Sequence, residues 1–141
     1  DSVIGRMHQS ALVTLVERSS RYTAIIKVNS KEAEVVADAI IKRANEFDMP
    51  LHTITGDNGT EFSNHKAIAE QLGIDFYFTH PYSSWEKGTN ENTNGLIRQY
   101  FPKGTDFNSI SEDTIKLVEN KLNNRPRKCL NFKRPSDFLR V

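Results

Sequence analysis

The chain has 141 residues, of which 37% are apolar and 26% charged, a length and composition typical of one globular domain rather than of a disordered or fibrous protein. No apolar run approaches the roughly 18 residues of a membrane span, and no charged-then-apolar leader is visible. The single cysteine, Cys129, excludes an internal disulfide and a thiolate zinc site. An intracellular location is therefore expected. The formal net charge of +1, taken alone, argues against a dedicated nucleic-acid-binding protein.

Three antiparallel strands are predicted at the start of the chain. Asp1–Ile4 is the first strand, and the apolar runs Ala11–Val16 and Arg21–Val28 are the next two, joined by a short hairpin connection. A helix follows, with Ser30 as its predicted N-cap and Met49-Pro50 as its end. Its apolar residues recur at spacings of three and four: Ala33, Val36, Ala37, Ile40, Ala44 and Phe47.

Strands and helices alternate in the rest of the chain. Leu51–Thr55 is a short strand, Asn64–Leu72 is a helix that Gly73 ends, and Ile74–Thr79 alternates like a strand. After a loop over His80–Gly88, two helices are predicted around 89–101 and 111–123. The order βββαβαβαα, without a linker or a repeat, predicts a single α/β domain over residues 1–141, with a mixed sheet and helices on both of its faces.

Three acids are candidates for catalytic work. Asp57 follows a predicted strand at its carboxyl end, where ligands gather in such sheets, Glu91 lies near the start of a helix, and Asp1 opens the first strand. Each also has a plainer interpretation, as a turn residue, a first-turn acid that suits the helix dipole, or a polar chain terminus. If they converge, three carboxylates are hard oxygen ligands that suit Mg²⁺ or Mn²⁺, and two such ions can activate an attacking oxygen on a phosphodiester.

The helix that contains Glu91 has an unusual polar face. At about 100° per residue, Glu91 shares this face with Asn94, Gly95 and Arg98. The opposite face is predicted to contact the core through Thr93, Leu96, Ile97 and Tyr100. Three Asn and one Gly within six residues weaken a helix, so we expect the polar face to have another use.

Basic residues are concentrated near the C-terminus. Residues 1–84 have a net charge of −3 and residues 85–141 a net charge of +4. The basic segment, residues 121–134, has no acids and six cations: Lys121, Arg125, Arg127, Lys128, Lys133 and Arg134. It is interpreted as a phosphate-contacting surface, the alternative being a solvated helix end whose cations suit the dipole.

Several segments resemble insertion-sequence transposases of the IS-thirty family. The segment Gly88–Lys103 (GTNENTNGLIRQYFPK) resembles the family signature, and the segments that begin at Asp1, Gly56 and Leu122 resemble its other blocks, so that the resemblance covers essentially the whole chain. It implies a ribonuclease-H-like fold, with a five-stranded mixed sheet of three antiparallel and then two parallel strands flanked by helices. The implied catalytic and metal-binding triad is Asp1, Asp57 and Glu91, with 33 residues between the last two.

The resemblance also implies an activity. A metal-dependent Asp-Asp-Glu polynucleotidyl transferase cleaves the 3′ ends of its element and transfers them into target DNA, with two Mg²⁺ or Mn²⁺ ions per active site when DNA is bound. The residues expected to contact DNA are Lys87, Asn90, Asn94, Arg98, Arg125, Arg127 and Lys128. The two alternatives are a catalytically silent DNA-binding remnant of a transposase and a ribonuclease-H-type hydrolase.

The implied setting follows from the same family. The partners are the terminal inverted repeats of the element and the target DNA, and the active complex is a homo-oligomer in the cytoplasm, on the bacterial nucleoid, without a membrane. Family members have a DNA-binding region upstream that is absent here, so the chain is interpreted as an integrase-type core. A free amine at Asp1 would then weaken metal binding, because it is partly positive at neutral pH.

Overall fold

The computed structural model describes residues 2–4, 11–17, 20–30, 32–46, 51–56, 62–78 and 88–138, with the backbone alone for 2–4 and 88–91. The strands within these residues are β1 (Ser2–Ile4), β2 (Ala11–Val16), β3 (Thr23–Val28), β4 (Thr53–Gly56) and β5 (Asp75–Phe78). The α-helices are α1 (Ala33–Ala44), α2 (His65–Leu72), α3 (Gly88–Tyr100) and α4 (Glu112–Asn123). Short 3₁₀ helices lie at Phe107–Ser109, Lys128–Leu130 and Pro135–Phe138.

The strands lie in two hydrogen-bonded sheets. β1, β2 and β3 form an antiparallel meander, whereas β4 and β5 pair in parallel, with Thr53 opposite Asp75 and Gly56 opposite Phe78. The order and directions of the strands are as predicted, but the single five-stranded sheet is wrong, because no ladder joins the two sheets within the described residues. β1 and β4 have three and four residues, fewer than the typical five or so, and therefore have few backbone groups for a ladder between them.

Two predicted boundaries shift for local reasons. β3 begins at Thr23, because Arg21 has a φ of 62° in the hairpin connection and is not extended. The N-cap of α1 is Glu32 instead of Ser30, whose hydroxyl accepts a 3.3 Å hydrogen bond from the Glu32 N–H in the turn before the helix. The predicted end of this helix at residues 47–50 lies outside the described residues.

The remaining helix ends follow their sequence signals. Gly73 ends α2 in the left-handed conformation, with a φ of 64°, as predicted. Ser111 is the N-cap of α4, and its Oγ accepts a hydrogen bond of 3.2 Å from the N–H of Thr114.

The core lies on both faces of the three-stranded sheet. Alternating side chains of β2 point to opposite faces, so Leu12 packs with α3 and α4, whereas Ala11 and Val13 pack with α1 and α2. Helices therefore cover both faces, as predicted. Tyr100 is 39% exposed, so its predicted place on the core face of α3 is wrong; the next residue, Phe101, is buried there instead.

Candidate catalytic site and DNA interface

The three candidate acids are adjacent to described elements. Asp1 directly precedes β1, Asp57 directly follows β4, and Glu91 is the fourth residue of α3. Asp1 and Asp57 lie outside the described residues, and Glu91 is described by its backbone alone. The structure therefore describes the elements next to the three acids, and their convergence into one site stays a prediction.

An aromatic cluster formed by Phe62, His65, Phe76 and Phe78 holds the chain on both sides of segment 57–61. The centroid of the Phe76 ring lies 6.3 Å from that of Phe62 and 5.2 Å from that of Phe78. Gly56 is buried against this cluster, and Phe62 is 3% exposed. The described residues on both sides of the segment, Gly56 and Phe62, therefore contact the same cluster.

Gly56 packs closely against this cluster. A Cβ at this position would lie 3.0 Å from Cζ of Phe76 and 3.7 Å from Cδ2 of Phe62, the first of which is too close for a relaxed contact. This contact was not predicted from the sequence. The sequence signal was Phe76 and Phe78, two residues apart in β5, which put two aromatic rings on one face of the strand.

The backbone of α3 is anchored by one side of the helix. Thr93 and Ile97 are buried, and Leu96 packs against the core cluster of Leu12 and Phe101. The outer face of α3 is defined by the positions of Glu91, Asn94, Gly95 and Arg98. Gly95 on this face is exposed, and a Cβ added there would have no atom within 4 Å. The helix is thus fixed through its inner face and open at the middle of its outer face.

Arg98 lies at the C-terminal end of α3. Its Nη1 donates hydrogen bonds of 3.3 Å to the main-chain carbonyls of Phe101 and Pro102, and burial lowers the pKa of its guanidinium. Glu91 is about 10 Å away along the helix axis, at 1.5 Å per residue. Arg98 therefore stabilises the negative end of its own helix, where a cation is favourable.

Arg127 in the basic segment is buried. It is 8% exposed, its Nη2 donates a 3.0 Å hydrogen bond to the carbonyl of Leu122 at the end of α4, and burial lowers the pKa of its guanidinium. From this position Arg127 holds the chain after α4 against the helix and has little exposed surface. Arg127 thus lies at a helix end, as in the alternative interpretation of the basic segment, but it is buried and not solvated.

The other candidate DNA contacts lie in different environments. Arg125 and Lys128 are exposed, and Asn94 is half-buried. Asn90 is described only by its backbone in α3, and Lys87 lies outside the described residues. Lys121 lies with its Nζ 5.8 Å from the centre of the exposed Tyr100 ring.

Polar side chains of α4 bind the outer strand of the antiparallel sheet, a feature that the sequence analysis missed. Asn123 Oδ1 accepts a 2.8 Å hydrogen bond from the N–H of Thr23, and its Nδ2 donates one of 2.8 Å to the carbonyl of Thr23. Glu119 Oε1 accepts 2.8 Å and 2.9 Å hydrogen bonds from the N–H of Ile25 and from Nη2 of Arg43 on α1. The signal was the position of these two polar residues, four apart, on the apolar face of α4.

The donor set fits a hard divalent cation. Two Asp and one Glu provide carboxylate oxygens of the kind that Mg²⁺ and Mn²⁺ prefer. In the described part of the chain, no group of three His, Cys, Asp or Glu side chains could hold a metal ion, so the predicted triad has no competing cluster there. Among the same residues, no helix is both long enough and apolar enough to cross a membrane.

The sequence is similar to known recombination proteins. Residues 1–84 match the model of the integrase core domain family. The chain is 49% identical over 137 residues to the transposase for insertion sequence element IS4351 of Bacteroides fragilis, and 42% identical over 131 residues to the transposase InsI for insertion sequence element IS30A of Escherichia coli (strain K12). These alignments cover 97% and 92% of the chain, but only 42% and 34% of the two transposases. The resemblance to this kind of transposase is confirmed.

The fold is also similar to that of a solved integrase. The catalytic core domain of BIV integrase superposes with a TM-score of 0.73 at 18% sequence identity, covering 99% of the chain and 90% of that domain. The superposition covers nearly the whole chain, so the fold is that of an integrase catalytic core.

Proposed function

Because the chain belongs to the integrase core domain family, we propose that it is the catalytic core of a DNA transposase, which cleaves the 3′ ends of its element and joins them to target DNA. The observation that carries the proposal is the framework for the acids. Gly56 and Phe62, on both sides of segment 57–61, are held by one aromatic cluster, and α3 is anchored opposite the face of Glu91. Such rigid support is what a preorganised catalytic site needs.

In this proposal, Asp1, Asp57 and Glu91 bind Mg²⁺ or Mn²⁺, with two ions when DNA is present. When bound, the cations supply Lewis-acid activation of the attacking oxygen and stabilise charge on the leaving oxygen. The aromatic cluster fixes the chain around Asp57, and the buried side of α3 fixes the backbone of Glu91. The open outer face at Gly95 allows the sugar-phosphate backbone to approach the helix closely.

The DNA is proposed to follow the exposed cations and amides. Arg125 and Lys128 contact phosphates, and Lys87, Asn90 and Asn94 contact the strand near the acids. Arg98 and Arg127 are proposed as positioning residues, because each donates hydrogen bonds to main-chain carbonyls at the end of a helix.

The proposed assembly and location follow from the reaction. Joining two ends of one element to one target requires two active sites, so the active form is proposed to be a homo-oligomer. Its partners are the terminal inverted repeats of the element and the target DNA, on the nucleoid in the bacterial cytoplasm. The chain spans less than half of the transposases it matches, so sequences outside it are proposed to recognise the repeats.

The test is a cleavage and joining assay with the full-length protein, a labelled end of its element, target DNA and Mg²⁺. Asp57→Asn and Glu91→Gln are expected to lower both steps by at least about 1,000-fold, because each removes a charged metal ligand. Asp75→Asn and Glu70→Gln are matched controls, since both acids are exposed and make the same change of charge elsewhere, and they are expected to retain activity.

The other outcomes identify the alternatives. DNA binding without metal-dependent cleavage in the unmodified protein would indicate a catalytically silent remnant. Cleavage of an RNA–DNA hybrid without joining would indicate a ribonuclease-H-type hydrolase. Full activity of Asp57→Asn or Glu91→Gln would disprove the assigned triad.

A further inference from the structure

A closed loop lies within the basic segment. This basic loop, residues 127–133, is joined at its base by an antiparallel bridge between Arg127 and Lys133, in which the N–H of Arg127 donates a 2.9 Å hydrogen bond to the carbonyl of Lys133. The carbonyl of Arg127 accepts hydrogen bonds of 3.0 Å and 2.8 Å from the N–H groups of Leu130 and Phe132. The buried Arg127 side chain attaches the base of the loop to the end of α4. The loop is thus a small rigid unit.

Phe132 occupies an unusual position in the basic loop. Asn131 and Phe132 have φ values of 54° and 64°, and the left-handed conformation is disfavoured for a bulky side chain. Phe132 is also 69% exposed, the highest value among the large hydrophobic residues that the structure describes. Neither packing in the fold nor backbone preference explains a phenylalanine here. Strain and apolar exposure at one residue point to a binding role.

The surroundings of Phe132 are positively charged. Arg125, Lys128 and Lys133 are exposed, and none of them forms a salt bridge with the residues that the structure describes. Arg134 is the exception, because its Nη2 lies 2.8 Å from Oδ1 of Asp137. Lys133 also attracts Asp137 electrostatically, but without forming an ion pair. An exposed aromatic ring beside three exposed cations outside ion pairs matches a nucleic acid, which offers phosphates to the cations and the face of a base to the ring.

We propose that Phe132 is a base-contacting residue, which stacks on an unpaired nucleobase of DNA whose phosphates are bound by Lys128 and Lys133. This inference rests on the proposed function, since it requires DNA as the partner. The inference adds a base contact to the phosphate contacts, because the closed loop presents the ring of Phe132 at a fixed distance from the cations of the loop. A distorted or opened step of DNA, where a base has left the helical stack, is therefore the preferred ligand.

The test measures equilibrium binding of the full-length protein to two short duplexes in EDTA. One duplex is continuous, and the other has the same sequence with a single unpaired base at its centre. The unmodified protein is expected to prefer the second duplex. Phe132→Ala is expected to weaken binding to that duplex by about 10-fold or more and to leave the continuous duplex unchanged, because each stacked base contributes strongly to affinity. Phe132→Trp is expected to retain the preference.

Phe138→Ala is the matched control, since Phe138 is also an exposed phenylalanine near the C-terminus, at 44%. Phe132→Gly also removes the ring, but glycine suits the positive φ. The same loss of preference in this variant would therefore not come from misfolding. Equal affinities of Phe132→Ala and the unmodified protein for both duplexes would overturn the proposal. So would an equal loss for both duplexes, or a change of oligomeric state with unchanged DNA binding. Cleavage cannot occur in EDTA, so failure of the catalytic proposal leaves this result interpretable.

Discussion

Gly56 is the last residue of β4 and directly precedes Asp57, and a methyl group here would press on the ring of Phe76. The rings of Phe62, His65 and Phe78 pack against it and restrict the directions in which it can move. Gly56→Ala is therefore expected to lower the free energy of unfolding by about 1–3 kcal/mol, the usual effect of overpacking. It is also expected to lower cleavage activity, because the adjacent Asp57 moves with the strand. Urea unfolding and the cleavage assay measure the two effects.

Gly95→Ala is the matched control for this substitution. Gly95 is exposed in α3, and an added Cβ would meet no atom within 4 Å. Alanine is the better helix former, so the free energy of unfolding is expected to rise by about 0.5–1 kcal/mol. Equal stability of Gly56→Ala and the unmodified protein would show that Phe76 has room to move, contrary to the packing described above.

Arg127 and Lys128 show the limit of sequence analysis for single residues. Both are cations in one basic segment, and the sequence predicts DNA contacts for both. The structure buries Arg127 under the end of α4 and leaves Lys128 exposed. The difference depends on which residue faces α4 after the chain turns, and this is decided by contacts distant in sequence. The positions of Asp57 after a strand and Glu91 on a helix, in contrast, were predictable from local patterns.

Local patterns also explain which elements could be predicted. The helix α2 and the start of α4 follow from capping residues and apolar spacing, which act within a few residues of chain. The joining of five strands into one sheet depends on pairing between β1 and β4, which are separated by about 50 residues of sequence. No turn connects these two strands directly, and no shared periodicity sets their register. The sequence therefore predicts the strands and their directions, but not the extent of the sheet.

The contact between α4 and β3 is polar at its centre. β3 is the outer strand of its sheet, and Asn123 takes the place of a further strand by bonding both main-chain groups of Thr23. Asn123→Ala leaves these buried groups without their partner, so the free energy of unfolding is expected to fall by about 2–4 kcal/mol. Urea unfolding followed by circular dichroism measures this change.

Asn120→Ala is the comparison within the same helix. Its side chain is exposed, and only its main-chain carbonyl serves as an acceptor, for Asn124. The substitution is expected to change the free energy of unfolding by less than about 0.5 kcal/mol. If Asn120→Ala and Asn123→Ala destabilise the protein equally, the bonds to Thr23 do not hold α4 on the sheet.

The charge of the whole molecule is divided along the chain and not evenly mixed. Residues 1–84 have a net charge of −3 and residues 85–141 one of +4, so the overall value of +1 conceals a basic C-terminal part. Within the basic segment, residues 121–134, one of the six cations, Arg127, is buried and another, Arg134, pairs with Asp137. In the proposed function, the exposed cations of this segment, and not the net charge, are therefore expected to determine the affinity for DNA.

The salt dependence of DNA affinity measures these exposed cations directly. Each phosphate contact contributes about 0.9 to the slope of log K against log salt concentration, because it releases condensed counterions. Lys128→Ala and Lys133→Ala are each expected to reduce the slope by about this amount, whereas Lys116→Ala, an exposed lysine of α4 outside the basic segment, is expected to leave it unchanged. Equal slopes for Lys116→Ala and Lys128→Ala would mean that DNA follows another surface. Arg127→Ala is expected to lower the melting temperature instead, because the carbonyl of Leu122 loses its donor.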